Sequence, residues 1–534
     1  MVGAGASGAA VAARLATGGR RVLLLEAGPV DTKVEVHIPA AFAKLFRTSW
    51  DWNYDTEPQS TLDGRRIYWP RGRMLGGSTS MNAMMWVRGF AADYDHWGEV
   101  VGAGWSWESL LPFFREIEQV MIDPTDPAGP DADRSEFGLD GAIHVEPQRS
   151  PRPLTAQFLA AANEIGVPTV HPNTRAPLGV SRTMVSQHRG ARWSTADGYL
   201  RPAAADPNLV VRTGAQATRV LFDGHHACAV EYLSDGKHHT ATALGDIVLS
   251  GGAVNTPQLL MLSGIGDGRQ LHALGIDVLV DAPEVGANLQ DHLLSGLAVE
   301  AFGDTLFHAE QPHRLVDYLA RRRGMLTSNV AEAYGFVKTR NALELPDIEL
   351  IFAPVAYVGE GLVAHPGHGI TVGAILLQPE SSGTVSLATT DPLDPPLIDP
   401  QYLSDPGGQD RATLLAGLQI CERILAAPSL AGAHTGRFIA PLDGAGSQQQ
   451  RAELAVQQMS HTLYHPVGTA RMGSDATSVV DPQLRDRGVT GLRVADASVM
   501  PRIIRGHTAA PSIVVGEKAA ALILADPAGS DGAP

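Results

Sequence analysis

Apolar and polar positions follow two different rhythms along this chain, and the switch between them marks its organisation. Near the start, AAVAARLAT (9–17) consists of strong helix formers and runs into Gly18-Gly19, a stop signal. RRVLLLEAG (20–28) is a short, continuously apolar run, which predicts a buried strand ending at Glu26. TAQFLAAANEIG (155–166) predicts an amphipathic helix, and NLVVRTGAQATRVLF (208–222) predicts a pair of strands about Gly214. From about residue 300 the strand rhythm dominates. LPDIELIFAPVAYV (345–358), GITVGAILLQ (369–378) and GTVSLATT (383–390) all read as strands, the last with strict alternation. QDRATLLAGLQICERILAA (409–427) predicts a helix at the edge of that region. DPTDPAGPDADRSEFGLDG (123–141) reads as an exposed acidic loop and DPAGSDGAP (526–534) as a disordered tail. No internal repeat is visible.

With 534 residues the chain is too long for one core, so at least two domains are expected. Lys and Arg number 41 against 57 Asp and Glu, a net charge of −16, which argues against nucleic acid or an anionic membrane surface as a main partner. No apolar run reaches the roughly 20 residues of a spanning helix. Cys228 and Cys421 lack metal spacing and read as two reduced, buried thiols, so the expected location is cytoplasmic, with peripheral membrane association left open.

The loop Gly3-Ala4-Gly5-Ala6-Ser7-Gly8 brings in chemistry. In a G-x-G-x-x-G loop the first glycine makes the tight turn and the second admits a pyrophosphate; the third lets helix pack on strand. Glu26, at the end of the next strand, stands where a carboxylate holds the ribose of an adenine dinucleotide. The motif does not choose between NAD and FAD. Such a loop normally follows a strand, yet only Met1 and Val2 precede it. The expectation is therefore that the native start lies upstream and that Met1 stands where a Val or Ile ends the first strand.

A second loop, PRGRMLGGSTSMNAMMWVRG (70–89), offers backbone N–H groups and the Ser78 and Thr79 hydroxyls to another phosphate or a ring system. Its apolar residues Met84, Met85 and Trp86 read more as core than as pocket lining. This loop joins GGAVNTPQLLMLSGIG (251–266), VGANLQDH (285–292), SHTLYHPVGTARMG (460–473), RVADASVMP (493–501) and RGHTAAPSIVVGEKAA (505–520). Through that ordered set, from Gly3 to about Ile523, the chain resembles the glucose–methanol–choline (GMC) oxidoreductases, FAD-dependent enzymes that oxidise alcohols.

The resemblance implies an α/β fold with an α+β substrate domain: a discontinuous Rossmann-like FAD-binding domain (1–150, 185–300, 460–525) and an antiparallel-sheet substrate domain with helices (151–184, 301–459) roofing the flavin. It places flavin contacts at Gly76, Ser78, Asn82 and Met84, an adenine contact at the backbone near Ala217, and closure over the pyrophosphate and ring at Asp496 and Ala497. Some relatives tether FAD through a histidine just before the position of Asn82; Met81 stands there, so dissociable FAD is expected. His465 matches the family's base, and His507 the partner that hydrogen-bonds the substrate oxygen. The order of events implied is removal of the hydroxyl proton by His465 and hydride transfer to flavin N5, with a quinone, a carrier or oxygen as electron acceptor. A hydroxynitrile lyase using the same histidine beside a bystander flavin is the alternative.

His461 and His465 lie four apart, but Glu does not follow His461 and Pro466 breaks a helix, so no metal is expected. Glu332 in LTSNVAEAYGFV has two readings: a carboxylate for a quaternary ammonium head, as choline-oxidising relatives suggest, or the partner of a nearby arginine.

Overall fold

Residues 1 and 2 lie in the middle of a parallel sheet. In the computed structural model, which describes residues 1–121, 134–442 and 446–526, the sheet runs Leu209–Arg212, Val22–Leu25, Met1-Val2, Ile247–Leu249, Leu492–Val494. Val2 bridges Leu25 on one side and Leu249 on the other, and the Met1 ammonium donates to the Leu23 carbonyl at 2.8 Å. Strand order reverses at this central position, where the helix Ala6–Thr17 departs, and such a switch point opens a crevice for a ligand. The helix Ala509–Ala525 packs against Ala6–Thr17 closely enough that a Cβ on Gly516 would come within 2.5 Å of the Ser7 carbonyl.

The second sheet is antiparallel: Ala333–Val337, Ile348–Ala353, Gly369–Leu376, Leu293–Ala301, His434–Ala440, with His461–Thr462 also pairing to the start of Leu293–Ala301. Period-two alternation gives it two faces. Leu297, Val299, Leu350, Phe352, Val372 and Ala374 point into a core shared with Leu414, Leu418 and Cys421. Leu294 and Gly296, Ile351 and Ala353, Thr371 and Gly373 instead line a cavity. The fold is therefore mixed α/β, with a parallel-sheet domain and an antiparallel-sheet domain meeting over that cavity.

Several sequence expectations need correcting. The two strands expected within 208–222 both form, but in different sheets: the first joins the parallel sheet and the second, Ala215–Asp223, pairs with His226–Ser234. The 300/301 boundary cuts through Leu293–Ala301, a central strand of the antiparallel sheet. GTVSLATT forms a separate two-stranded ribbon with Leu397–Asp399. The helix expected at 409–427 forms as Gln409–Ala426 and covers one face of the antiparallel sheet, where Gly417 lets it approach Ala374 and Ile348. Cys228 is half-buried, not buried, whereas Cys421 is fully enclosed. The loop at 123–141 and the tail fall largely outside the described residues. Among the described residues no helix is long and apolar enough to cross a membrane.

Candidate active site

The cavity between the sheets has a volume of about 330 Å³. At one end lies the first glycine loop. Gly3 turns with φ +93°, and a Cβ there would sit 2.3 Å from the Ser250 carbonyl. Gly5, Ala6 and Ser7 line the cavity at a helix N-terminus that no side chain caps. Uncapped N–H groups beside a cavity suit a pyrophosphate. Gly8 is behind the wall, where a Cβ would strike the Gly3 carbonyl at 2.0 Å, so its role is packing. The Ser7 hydroxyl donates to the Ser512 carbonyl at 2.6 Å and ties the two long helices together. Glu26 accepts from the Ala4 and Gly28 N–H groups, both at 2.9 Å, and burial raises its carboxyl above the usual range.

The second loop closes on the first. Gly76 donates from its N–H to the Ala4 carbonyl at 2.9 Å and stays off the cavity wall, whereas Gly77 is on it. Gly77 faces Gly5 backbone to backbone, since its added Cβ would lie 2.8 Å from the Gly5 Cα. Ser78, Thr79, Asn82 and Met84 line the wall, and Met85 joins them against expectation. Trp86 turns away and donates to Glu118 at 2.8 Å. Asn82 Oδ1 accepts from Arg192 Nη1 at 2.8 Å and from the Met84 N–H at 3.0 Å; burial pulls the Arg192 guanidinium down to about 9. Ala217 and Ala497 line the wall as well. The buried Asp496 accepts from the Gly252 N–H at 2.8 Å and the Thr256 hydroxyl at 2.6 Å, which fixes it at the start of the helix Gly252–Leu262. A narrow, glycine-walled, uncapped cradle with an acid at its far end fits an adenine dinucleotide.

At the other end are the histidines. His465 and His507 are both buried, with ring centroids 4.6 Å apart. A third ring, His292, was missed by the sequence reading although it ends the motif VGANLQDH. Its Nε2 lies 2.9 Å from the Leu377 carbonyl, and its Nδ1 lies 2.9 Å from His465 Nδ1. A carbonyl only accepts, so His292 Nε2 carries the proton and, in the neutral ring, Nδ1 carries the lone pair. His465 Nδ1 must then donate, which leaves its Nε2 as the basic nitrogen. Burial holds His292 down to about 3, so it stays neutral and the assignment holds through ordinary pH. Burial, then the neighbouring His507, His292 and Arg71, push His465 well below the usual histidine range. Its backbone N–H is anchored by Asp291 Oδ1 at 2.8 Å.

His507 has a different partner. Its Nε2 donates to Glu349 Oε1 at 2.8 Å, and Glu349 is fully buried on the cavity-side register of its strand, in phase with Ile351 and Ala353. The signal was legible in DIELIF, where one acid interrupts an apolar strand.

The comparisons with known proteins agree with this geometry. Residues 1–294 and 379–516 match the GMC oxidoreductase family. The chain belongs to the GMC oxidoreductases. It is 55% identical over 524 residues to an uncharacterized GMC-type oxidoreductase of Mycobacterium tuberculosis, covering 98% of both chains. It is 40% identical to an alcohol dehydrogenase [acceptor] of Pseudomonas putida, over 98% of this chain and 95% of the relative. Among solved structures, pyridoxine 4-oxidase from Mesorbium loti superposes with a TM-score of 0.87 at 30% identity, covering 97% of each chain. The protein is thus an FAD-dependent oxidoreductase of this family.

Within the GMC fold, Glu332 is not on the cavity wall. Its carboxylate accepts from the Arg152 N–H and the Thr155 hydroxyl, both at 2.6 Å, and from the Ser328 hydroxyl at 2.7 Å. Those bonds hold together the Ser328–Glu332 turn and the helix Pro153–Glu164. The arginine reading comes nearer than the choline reading, although it is the Arg152 backbone that donates.

The turn carries an unusual residue at the wall. Val330 has φ +72°, and the Ala331 N–H reaches across it to the Asn329 carbonyl at 2.9 Å, a γ-turn of the strained hand. A β-branched residue pays sterically for a positive φ, whereas glycine does not. Val330→Gly should therefore exceed Val330→Ala in stability by about 1 kcal/mol, the reverse of the usual order. Urea unfolding of the two variants checks this, and equal midpoints would remove strain from the account.

Proposed function

We propose that this protein oxidises an uncharged alcohol to the carbonyl compound, with dissociable FAD as hydride acceptor and His465 as base. The observation that carries the reading is the pair of buried histidines, each with one ring nitrogen engaged by the protein and one left for the cavity. FAD, when bound, supplies a hydride acceptor at N5. Gly3, Gly5, Ala6 and Ser7 would hold its pyrophosphate, Glu26 its ribose, and Gly77, Ser78 and Asn82 its ring system. Met81 lines the same wall, and a thioether forms no covalent tether to the ring.

The chain's own part is proton handling. His465 Nε2 takes the hydroxyl proton from the alcohol, and neutral His292 keeps the required tautomer in place. His507, held through Nε2 by the Glu349 carboxylate, keeps its other ring nitrogen, Nδ1, for hydrogen-bonding the oxygen as it becomes alkoxide. Arg71, on the wall near His465, adds to the same field.

That field also selects the substrate. Glu26 and Asp496 are the only carboxylates among the described residues lining the cavity, and both belong to the dinucleotide end. The remaining wall includes Phe42, Phe46, Val330, Ile351 and Leu463, apolar surface suited to an aromatic or aliphatic alcohol, beside polar groups such as Asn329 and Thr371. A quaternary ammonium head would meet Arg71 and no counter-ion.

Anaerobic titration of the FAD-loaded protein tests this. Benzyl alcohol or a medium-chain alkanol is expected to bleach the visible flavin band, and choline to leave it unchanged. Bleaching by choline at a comparable rate would refute the uncharged-substrate reading; a spectrum indifferent to every alcohol would refute the redox reading itself.

A further inference from the structure

A second cluster of ligand-type side chains lies outside the cavity. His144 and Glu146 sit two apart on the strand Ile143–Pro147, so the pleat puts both on one face. The neighbouring ribbon supplies His188, at the end of Gln187–His188. One ligand atom from each of the three lies within 4.8 Å of the others. The two imidazoles stack with centroids 3.9 Å apart and planes at 26°, and His188 Nδ1 comes within 3.3 Å of Glu146 Oε1. That nitrogen is buried and makes no hydrogen bond, so its approach to Glu146 Oε1 sets two ligand-type atoms side by side. Trp193 closes one side, edge-on to His144 at 4.7 Å.

Two imidazoles with one carboxylate make the donor set of a divalent first-row transition metal, with zinc the leading candidate and water completing the sphere. The Arg189 backbone N–H donates to Glu146 Oε1 at 3.3 Å and helps to hold the carboxylate in the cluster.

We propose that His144, Glu146 and His188 form a binding site for a divalent transition-metal ion such as Zn²⁺. The site joins two segments that share no strand pairing of their own at these residues. One is the strand Ile143–Pro147; the other is the ribbon Gln187–Arg192, which turns at Gly190 and returns with Arg192. Arg192 is the residue that donates to Asn82 Oδ1 and to the Thr79 carbonyl in the second glycine loop. A metal at this position clamps the ribbon that braces the cofactor loop, from outside the cavity.

Equilibrium dialysis of the chelator-treated, FAD-loaded protein against ZnCl₂, followed by metal analysis, tests the proposal. One zinc per chain is expected, with a rise in the unfolding temperature, and both should weaken at least tenfold in His144→Ala and in His188→Gln. An exposed-histidine control, His313→Ala, should leave binding unchanged. Stacking without metal affinity predicts that the wild-type protein retains no stoichiometric zinc. Retention that is equal in wild type and both variants would place the ion elsewhere and overturn the assignment. Each variant must keep its flavin spectrum in metal-free buffer, which separates loss of the site from loss of the fold.

Discussion

Replacing His465 by alanine should slow flavin reduction by alcohol about 10²- to 10⁴-fold, the largest functional effect expected of any single change here. The histidine proposed as base has its free nitrogen defined by the protein: the Leu377 carbonyl occupies His292 Nε2, so the proton shared by the two rings belongs to His465 Nδ1. Rapid mixing without oxygen measures the step directly, and parental reduction rates in the variant would sink the assignment. The pH profile gives a second readout. His465 is held well below the ordinary histidine value, so it stays unprotonated, and base-competent, to lower pH than a free imidazole. The acid limb of the rate should fall below pH 6.5. The same depression has a cost in stability. Between 6.5 and about 3 the unfolded chain takes up a proton at His292 that the folded chain refuses. Its contribution is complete above 6.5 and is lost progressively as pH falls towards 3.

Arg88→Leu should destabilise the protein by about 3–5 kcal/mol, the largest structural effect expected. Arg88 and Glu118 are both wholly buried and form a bidentate pair, through Nε at 2.7 Å and through Nη2 to the other carboxylate oxygen. The guanidinium also donates to the Glu136 carbonyl at 3.0 Å and faces the rings of Phe114 and Phe137 at 5.5 and 5.0 Å. Removing it leaves a carboxylate in the core with, among the described residues, the Trp86 indole as its side-chain donor. The double variant Arg88→Leu/Glu118→Leu takes out both charges and should lose less than Arg88→Leu alone, because burying an unpaired charge costs more than burying none. Urea unfolding of the three proteins decides the matter; a single variant within 1 kcal/mol of the parent would show that the pair is not what secures this end of the cofactor loop.

The cofactor cradle was legible because its requirements are local. G-x-G-x-x-G reports a backbone need at each glycine, and Gly3 and Gly8 fail sterically with any side chain, as the motif demands. The helix Ala6–Thr17 and the strand Val22–Leu25 followed from propensity and an apolar run. Gly76 shows the limit of such reading: the turn was located, but only the packing of one loop on the other determined that Gly77, and not Gly76, reaches the cavity. The two strands expected at 208–222 both form, yet their partners were not legible. Periodicity identifies strands but carries no information about which neighbour they join.

Sequence by itself determined the family, the dinucleotide cradle and the two histidines whose motifs announce them, since each depends on residue types at short, fixed spacing. Tertiary structure alone decided the rest. The tautomer of His465 depends on a carbonyl at Leu377, and the charge behind His507 comes from Glu349 on a different strand. Glu332 became a structural brace once Thr155, Ser328 and Arg152 were seen to use up its oxygens. Hydrogen-bond direction, desolvation and the charge lining a cavity are sums over residues far apart in the chain, and only the folded arrangement fixes which of them meet.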